Sequence, residues 1–297
     1  MHPGRASRAT LPYEVVDVFT DRPFAGNPLA VVLDADDLPT TAMQALAAEF
    51  GLSETAFPVP PAAGASYGLR IFTPVVELPF AGHPSVGEAW VLRRLGRVPA
   101  GALVQSCGAG LLPVHVRGPD EPVVLSGGPP SVGPEVDPVP LLAAVGLDAG
   151  DLAGAPRQAG CGIDFTYLPV AADAVARAVP DAAALRALPL GTGLSVVSWT
   201  PGQGAPGQAH CRVFVPEVGV AEDPATGSAA AGLGVHLAAA GLLGEGASTY
   251  VVRQGQEVGR PSTMTCTVHV RDGRAVATTV AGRVVPVARG EVRRPVG

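Results

Sequence analysis

Three side chains in this 297-residue chain stand where acid/base chemistry could be organised: Glu54, His83 and Asp223. Glu54 lies in Gly-Leu-Ser-Glu-Thr, after a helix stop and beside a strand start. A carboxylate there is held on a short connection and flanked by hydroxyls, although a capping or solvated loop glutamate would read the same. His83 lies in Ala-Gly-His-Pro at an expected helix N-terminus, where bonding to a neighbouring loop is the plain alternative. Asp223 belongs to Glu222-Asp-Pro-Ala-Thr-Gly-Ser228, directly before an uncharged run from Pro224 to Gly244. A polar turn opening an apolar helix aims backbone N–H groups at an anion. Asp223 is equally suited to being the N-cap of that helix. Ser228 has neither a base nearby nor the strand–turn–helix setting of a nucleophile, so a donor role towards a carboxylate suits it better.

Composition removes whole classes of chemistry. All twenty basic residues are Arg, so there is no lysine for a Schiff base or a Walker-type phosphate loop. A net charge of −6 leaves no basic footprint for nucleic acid. The four cysteines form no CxxC and no Cys/His cluster with metal-ligand spacing, so neither a metal site nor a disulfide framework is expected. Residues 1–10 carry no apolar signal core and are expected to be a frayed tail. The run 224–244 has the length of a membrane span, but its Gly, Ser and Thr content and sparse Leu fit a helix buried in a protein core. The expectation is a soluble, cytoplasmic protein without a membrane partner.

The positioning elements are legible as short alternating strands separated by turn residues. Helices are expected over 42–50, capped by Thr40 or Thr41, and over 84–95, with Pro84 first and Gly96 just past the end. Residues 127–140, rich in Pro and Gly, read as a linker. A strand is expected over 283–287 near the end of the chain. The chain also repeats itself: Arg70-Ile-Phe-Thr-Pro74 recurs as Arg212-Val-Phe-Val-Pro216, 142 residues later. Each copy leads through a loop to a Pro-containing turn and a helix closed by Gly. That order implies duplication into two similar halves with the two polar helix starts facing one cleft. Two helix N-termini in one groove favour a carboxylate and could stabilise an enolate-type oxyanion.

At these residues the chain resembles the PhzF-like isomerases of the phenazine-biosynthesis family, within the diaminopimelate-epimerase fold group. The matching stretches are 16–20 with 24–28, Leu52-Ser-Glu-Thr55, 70–87, 212–230 and 253–262. The resemblance implies an α+β fold of two pseudo-symmetric domains, each a mostly antiparallel strand barrel around a central helix. Expected bounds are 11–127 for the first, with 283–297 returning to it, and 128–282 for the second. It further implies a homodimer, no cofactor, and a small carboxylate substrate in the interdomain cleft. Glu54 would be the acid/base, with His83 and Asp223 supporting it; Gly82, Thr226, Gly227, Ser228 and Gln254 would bind substrate. Relatives that racemise amino acids use two cysteines at the helix starts, where this chain has none. The alternatives are a racemase, epimerase or dehydratase of a small amino or hydroxy acid using carboxylates, or a non-catalytic binding protein on the same fold.

Overall fold

The computed structural model describes residues 9–216 and 220–295. The chain divides into two compact units, residues 1–125 with 282–297, and residues 126–281. Up to residue 8 the expected frayed tail lies outside the described residues, as do residues 217–219 of the loop before Glu222.

The first unit is built on β1 (Thr10–Val18), β2 (Asn27–Val32), β3 (Glu54–Val59), β4 (Tyr67–Phe72), β5 (Glu77–Leu78), β6 (Gly101–Cys107), β7 (Gly110–Val116) and β8 (Val123–Ser126). Its last strand, labelled β18 in chain order, is Val284–Arg293, twice the length expected at 283–287 because it pairs along the whole of β1. Neighbours in the ladder run β18, β1, β2, β3, β4, β6, β7, β8, with the short β5 also on β4. Two of these pairings, β2 with β3 and β4 with β6, are parallel. Each parallel step spans a helix: α1 (Thr40–Phe50) between β2 and β3, and α2 (Gly82–Arg94) between β4 and β6, as parallel crossovers require.

The second unit repeats this scheme. Its strands are β9 (Pro130–Glu135), β10 (Arg157–Cys161), β11 (Asp164–Pro169), β12 (Leu194–Thr200), β13 (Gly207–Val215), β14 (Val220–Asp223), β15 (Gly246–Gln254), β16 (Ser262–Arg271) and β17 (Arg274–Gly282). Again two pairings are parallel, β11 with β12 and β13 with β15, and β14 takes the place of β5 beside β13. Its α-helices are α3 (Pro138–Ala144), α4 (Ala172–Arg177), α5 (Ala182–Arg186) and α6 (Gly227–Ala239), of which α4 and α5 span the first parallel step and α6 the second. The repeat seen in sequence is therefore a repeat of strand order, pairing sense and helix position. Even a local contact recurs: Arg70 lies 5.1 Å over Phe72 and pairs with Glu77, while Arg212 lies 5.2 Å over Phe214 and pairs with Glu222.

Both central helices are buried on every side, from Gly82 to Leu92 in α2 and from Gly227 to Ala238 in α6. α2 packs on β18 and β1 at one end of its ladder and on β7 near the other, so the ladder wraps it; α6 is packed likewise by β9 to β11 and by β16. So tight a wrap dictates small residues. A Cβ on Gly87 would stand 2.5 Å from Leu29 Cδ2, and one on Gly232 would stand 2.5 Å from the Tyr167 hydroxyl. The outer helices cover the other sheet face: Met43 and Leu46 of α1 join Phe57 and Phe72, and Val175 and Leu185 join Leu168 and Phe214.

Several local expectations are corrected. The N-cap of α1 is Pro39, with no side-chain cap from Thr40 or Thr41; Thr40 instead accepts from Arg70 Nη2. α2 begins at Gly82, so Pro84 is its third residue, still within the turn where a missing N–H costs nothing. The expected linker at 127–140 contains β9 and the start of α3. Its prolines are tolerated because β9 pairs with β10 through an irregular register, shifted opposite Gly133 and Pro134.

Candidate active site

In the first unit Glu54 opens β3, one residue after Ser53, whose hydroxyl donates to Asn27 Oδ1 at 3.0 Å. Asn27 is wholly buried and follows Gly26, which has φ 68° and could carry no Cβ without striking the Val18 carbonyl. This Gly-Asn-Pro turn therefore sets the position of Ser53, and Ser53 sets Glu54. The Glu54 side chain keeps only 15% of its surface exposed, and His83 Nδ1 lies 3.6 Å from its Oε2. That oxygen is buried with no hydrogen bond among the described residues. Burial raises the Glu54 pKa to about 7, with the neighbouring Ser53 side chain acting in the opposite direction. A carboxyl poised there can take a proton and return it near neutral pH.

His83 is buried in the first turn of α2, next to Gly82. The turn is anchored from below. Ser85 Oγ donates to the Ala81 carbonyl at 2.9 Å, Gln105 Nε2 donates to Ser85 Oγ at 3.0 Å, and the Tyr67 hydroxyl donates to Gln105 Oε1 at 3.2 Å. All of these side chains are buried. Sequence reading passed over them because Ser, Gln and Tyr in separate elements carry no motif of their own.

In the second unit Asp223 ends β14 rather than capping α6, whose N-cap position is Thr226. The two are joined: Thr226 Oγ1 donates to Asp223 Oδ2 at 2.6 Å. Gln254 completes the turn, donating from Nε2 to the Asp223 carbonyl (2.7 Å) and to Thr226 Oγ1 (3.0 Å), and accepting from Thr226 N at Oε1 (3.2 Å). Gln254 is 1% exposed, and these contacts brace the turn. Gly227 and Ser228 then open α6 without a side-chain cap, which leaves first-turn N–H groups for an acceptor outside the helix. Glu222, beside Asp223, is held in a bidentate pair with Arg212 at 3.0 and 2.7 Å.

The cysteines are buried or half-buried and free. Burial pushes the Cys211 thiol up to about 12 and also raises Cys161 and Cys266, so none of these three is a ready thiolate. Cys161 does approach the start of α6, with Sγ 4.0 Å from the Ser228 carbonyl, a proximity that its place in sequence does not reveal. Among the described residues no group of three His, Cys, Asp or Glu side chains could hold a metal ion, and no helix is long and apolar enough to cross a membrane.

Comparison with known proteins places the chain in a family. Residues 16–290 match the family described as phenazine biosynthesis-like protein. The chain is 36% identical to an uncharacterized isomerase of Mesorhizobium japonicum over 94% of its own length and 98% of the relative's. With the trans-2,3-dihydro-3-hydroxyanthranilate isomerase of Pseudomonas fluorescens it shares 33% identity over 94% and 98% of the two chains. A PhzF-family crystal structure from Bacillus anthracis superposes with a TM-score of 0.85 at 26% identity, covering 96% and 99%. A hydroxyproline epimerase from Agrobacterium vitis shares the fold at a TM-score of 0.65, 13% identity and coverage of 97% and 93%. With a duplicated α+β fold, a buried glutamate beside a helix-borne histidine and matches along its whole length, the chain belongs to the phenazine biosynthesis-like (PhzF) family.

Proposed function

We propose that this chain is a cofactor-independent isomerase that moves a proton between two carbons of a small carboxylate-bearing substrate. The observation that carries the reading is Glu54: a carboxyl raised by burial to about 7, with His83 3.6 Å away. The Glu54 carboxylate removes an activated C–H proton, and the electron pair left behind delocalises along the conjugated substrate. The same carboxyl then returns the proton to a different carbon, so no electrons or atoms are gained or lost. His83 donates towards the charge that develops. The open N–H groups of α6 at Gly227 and Ser228, with the Ser228 hydroxyl and those near Gly82, hold the substrate carboxylate. Asp223, fixed by Thr226 and Gln254, keeps that turn in place and supports the acid/base pair. Part of the proposal is that both turns act on one substrate in a cleft between the two units, and that the working form is a homodimer.

The curated relatives named trans-2,3-dihydro-3-hydroxyanthranilate isomerases make a cyclic, partly unsaturated amino acid the first substrate class to try. Positioned acid/base catalysis contributes about 10²–10⁴-fold in rate. Glu54→Gln should lose that factor in isomerisation and in solvent-deuterium incorporation, with the melting temperature almost unchanged. Persisting exchange in Glu54→Gln would remove Glu54 from the mechanism. Deuterium confined to one α-carbon with inversion would instead identify a racemase or epimerase.

A further inference from the structure

Strand β1 turns into β2 between Val18 and Asn27, so this hairpin loop spans eight residues, 19–26. The matching hairpin of the second unit, β10 to β11, closes between Gly160 and Asp164 with three, residues 161–163. Hairpin loops commonly take about two to five residues, and the shorter copy shows that the fold does not require the longer one. The elaboration stands in the half that holds Glu54. β3 begins at Glu54 beside Leu29, two residues past Asn27, and the Ser53 hydroxyl donates to Asn27 itself. The loop therefore lies at the end of the first unit's ladder where Glu54 and His83 meet.

Within this loop Phe24 runs against two preferences together. Its φ is 65°, in the left-handed region that favours Gly or Asn. Its side chain is 75% exposed, where a polar residue is the usual occupant. Phe19 has the same φ, but it is wholly buried against Gly282, so packing accounts for it. The conformation of Phe24 is imposed from the backbone side instead. Asp17, 2% exposed, accepts from the Phe24 backbone N–H at 2.7 Å. The Thr20 hydroxyl braces the loop, accepting from Arg22 N at 3.2 Å and donating to the Arg22 carbonyl at 3.1 Å. A buried carboxyl side chain thus holds a large apolar ring out in water on a strained backbone, and strain of this kind clusters at ligand sites. Phe24 is three residues from Asn27, at most about 11 Å along the chain, so a ring compound seated at Glu54 is within reach of its side chain.

We propose that Phe24 is a specificity-determining residue of the Glu54 site: its ring packs on an apolar face of the substrate and selects cyclic, unsaturated carboxylates over acyclic ones. This rests on the isomerase reading and deepens it, adding what the substrate must carry beside its carboxylate.

Benzoate, a planar ring carboxylate, and crotonate, an acyclic one, are the probes, titrated into the whole protein by calorimetry. The parent should prefer benzoate by about tenfold, the scale of one aromatic contact with its buried area. Phe24→Ala should erase that preference by weakening benzoate alone, and Phe24→Tyr, which keeps a ring, should retain it. Phe24→Gly relieves the left-handed backbone, so it should weaken benzoate as Phe24→Ala does without lowering the melting temperature; a purely structural Phe24 would lower the melting temperature instead. Glu54→Gln separates this proposal from the reading it rests on, because it should abolish solvent-deuterium exchange into cyclic unsaturated amino acids yet keep the preference for benzoate. Absence of exchange in the parent counts against the isomerase reading. The Phe24 proposal is overturned by absence of benzoate binding to the parent, or by an undiminished preference in Phe24→Ala. A change of oligomeric state in Phe24→Ala with benzoate affinity intact would overturn it too, because the ring would then be a contact with a second copy.

Discussion

Glu88 offers a sharp test of the packing around α2. It is the seventh residue of that helix, wholly buried, and neither carboxyl oxygen has a hydrogen-bond partner among the described residues. Burial raises its pKa well above the ordinary value. The folded protein therefore holds this proton at pH values where the unfolded chain, titrating near 4.3, has released it. Between those two pKa values the native state binds one more proton than the unfolded state, so stability falls as pH rises. The slope is about 1.4 kcal/mol per pH unit. Glu88→Gln keeps the shape and removes the titration. Other groups, Glu54 among them, are common to both proteins and cancel in the difference. Urea unfolding of the two proteins at pH 5, 6, 7 and 8 should show the variant gaining on the parent as pH rises from the low end of this range, at a slope of up to about 1.4 kcal/mol per unit. A gap constant to within about 0.5 kcal/mol across that range would show that the carboxyl reaches water or a partner, and the description of the α2 wrap would be wrong.

Other outcomes follow from the same geometry. Because Glu54 must be ionised to act as a base and its pKa is about 7, kcat/KM should fall roughly tenfold per unit at pH values well below 7; a profile flat down to pH 5 would refute this assignment. Gln254→Leu removes three hydrogen bonds from the Asp223–Thr226 turn, costing about 1–3 kcal/mol of stability and raising KM; unchanged kinetics would show that the turn does not touch substrate. The two duplicated ion pairs should differ. Arg212→Met leaves Glu222 unpaired with both side chains only 9% exposed, costing about 3–5 kcal/mol, whereas Arg70→Met at the more exposed Glu77 pair should cost about 1 kcal/mol or less in chemical denaturation. Equal losses would mean that burial does not distinguish the two halves.

By itself the sequence determined that the chain is duplicated, because the Arg-x-Phe stretch and the glycine-closed helix recur in the same order and each unit must meet the same packing demand. It also singled out Glu54, His83 and the Asp223 turn as the candidates for chemistry, since they sit beside Gly, Pro and hydroxyl residues whose backbone preferences are local. The uncharged run at 224–244 was legible as a core helix, although its true extent is Gly227 to Ala239. Only the tertiary structure decided what those residues experience. The raised pKa of Glu54 comes from distant side chains that exclude water, which no spacing along the chain encodes. Asp223 ends β14, three residues before the N-cap position of α6, because the pairing of β14 with β13 extends that far. Gln254 braces the turn because β15 runs parallel to β13 and brings it against Thr226, a neighbour 28 residues away in the chain. Local chemistry proposes the acid, the imidazole and the turn; long-range packing sets their protonation, their hydrogen-bond partners and their roles.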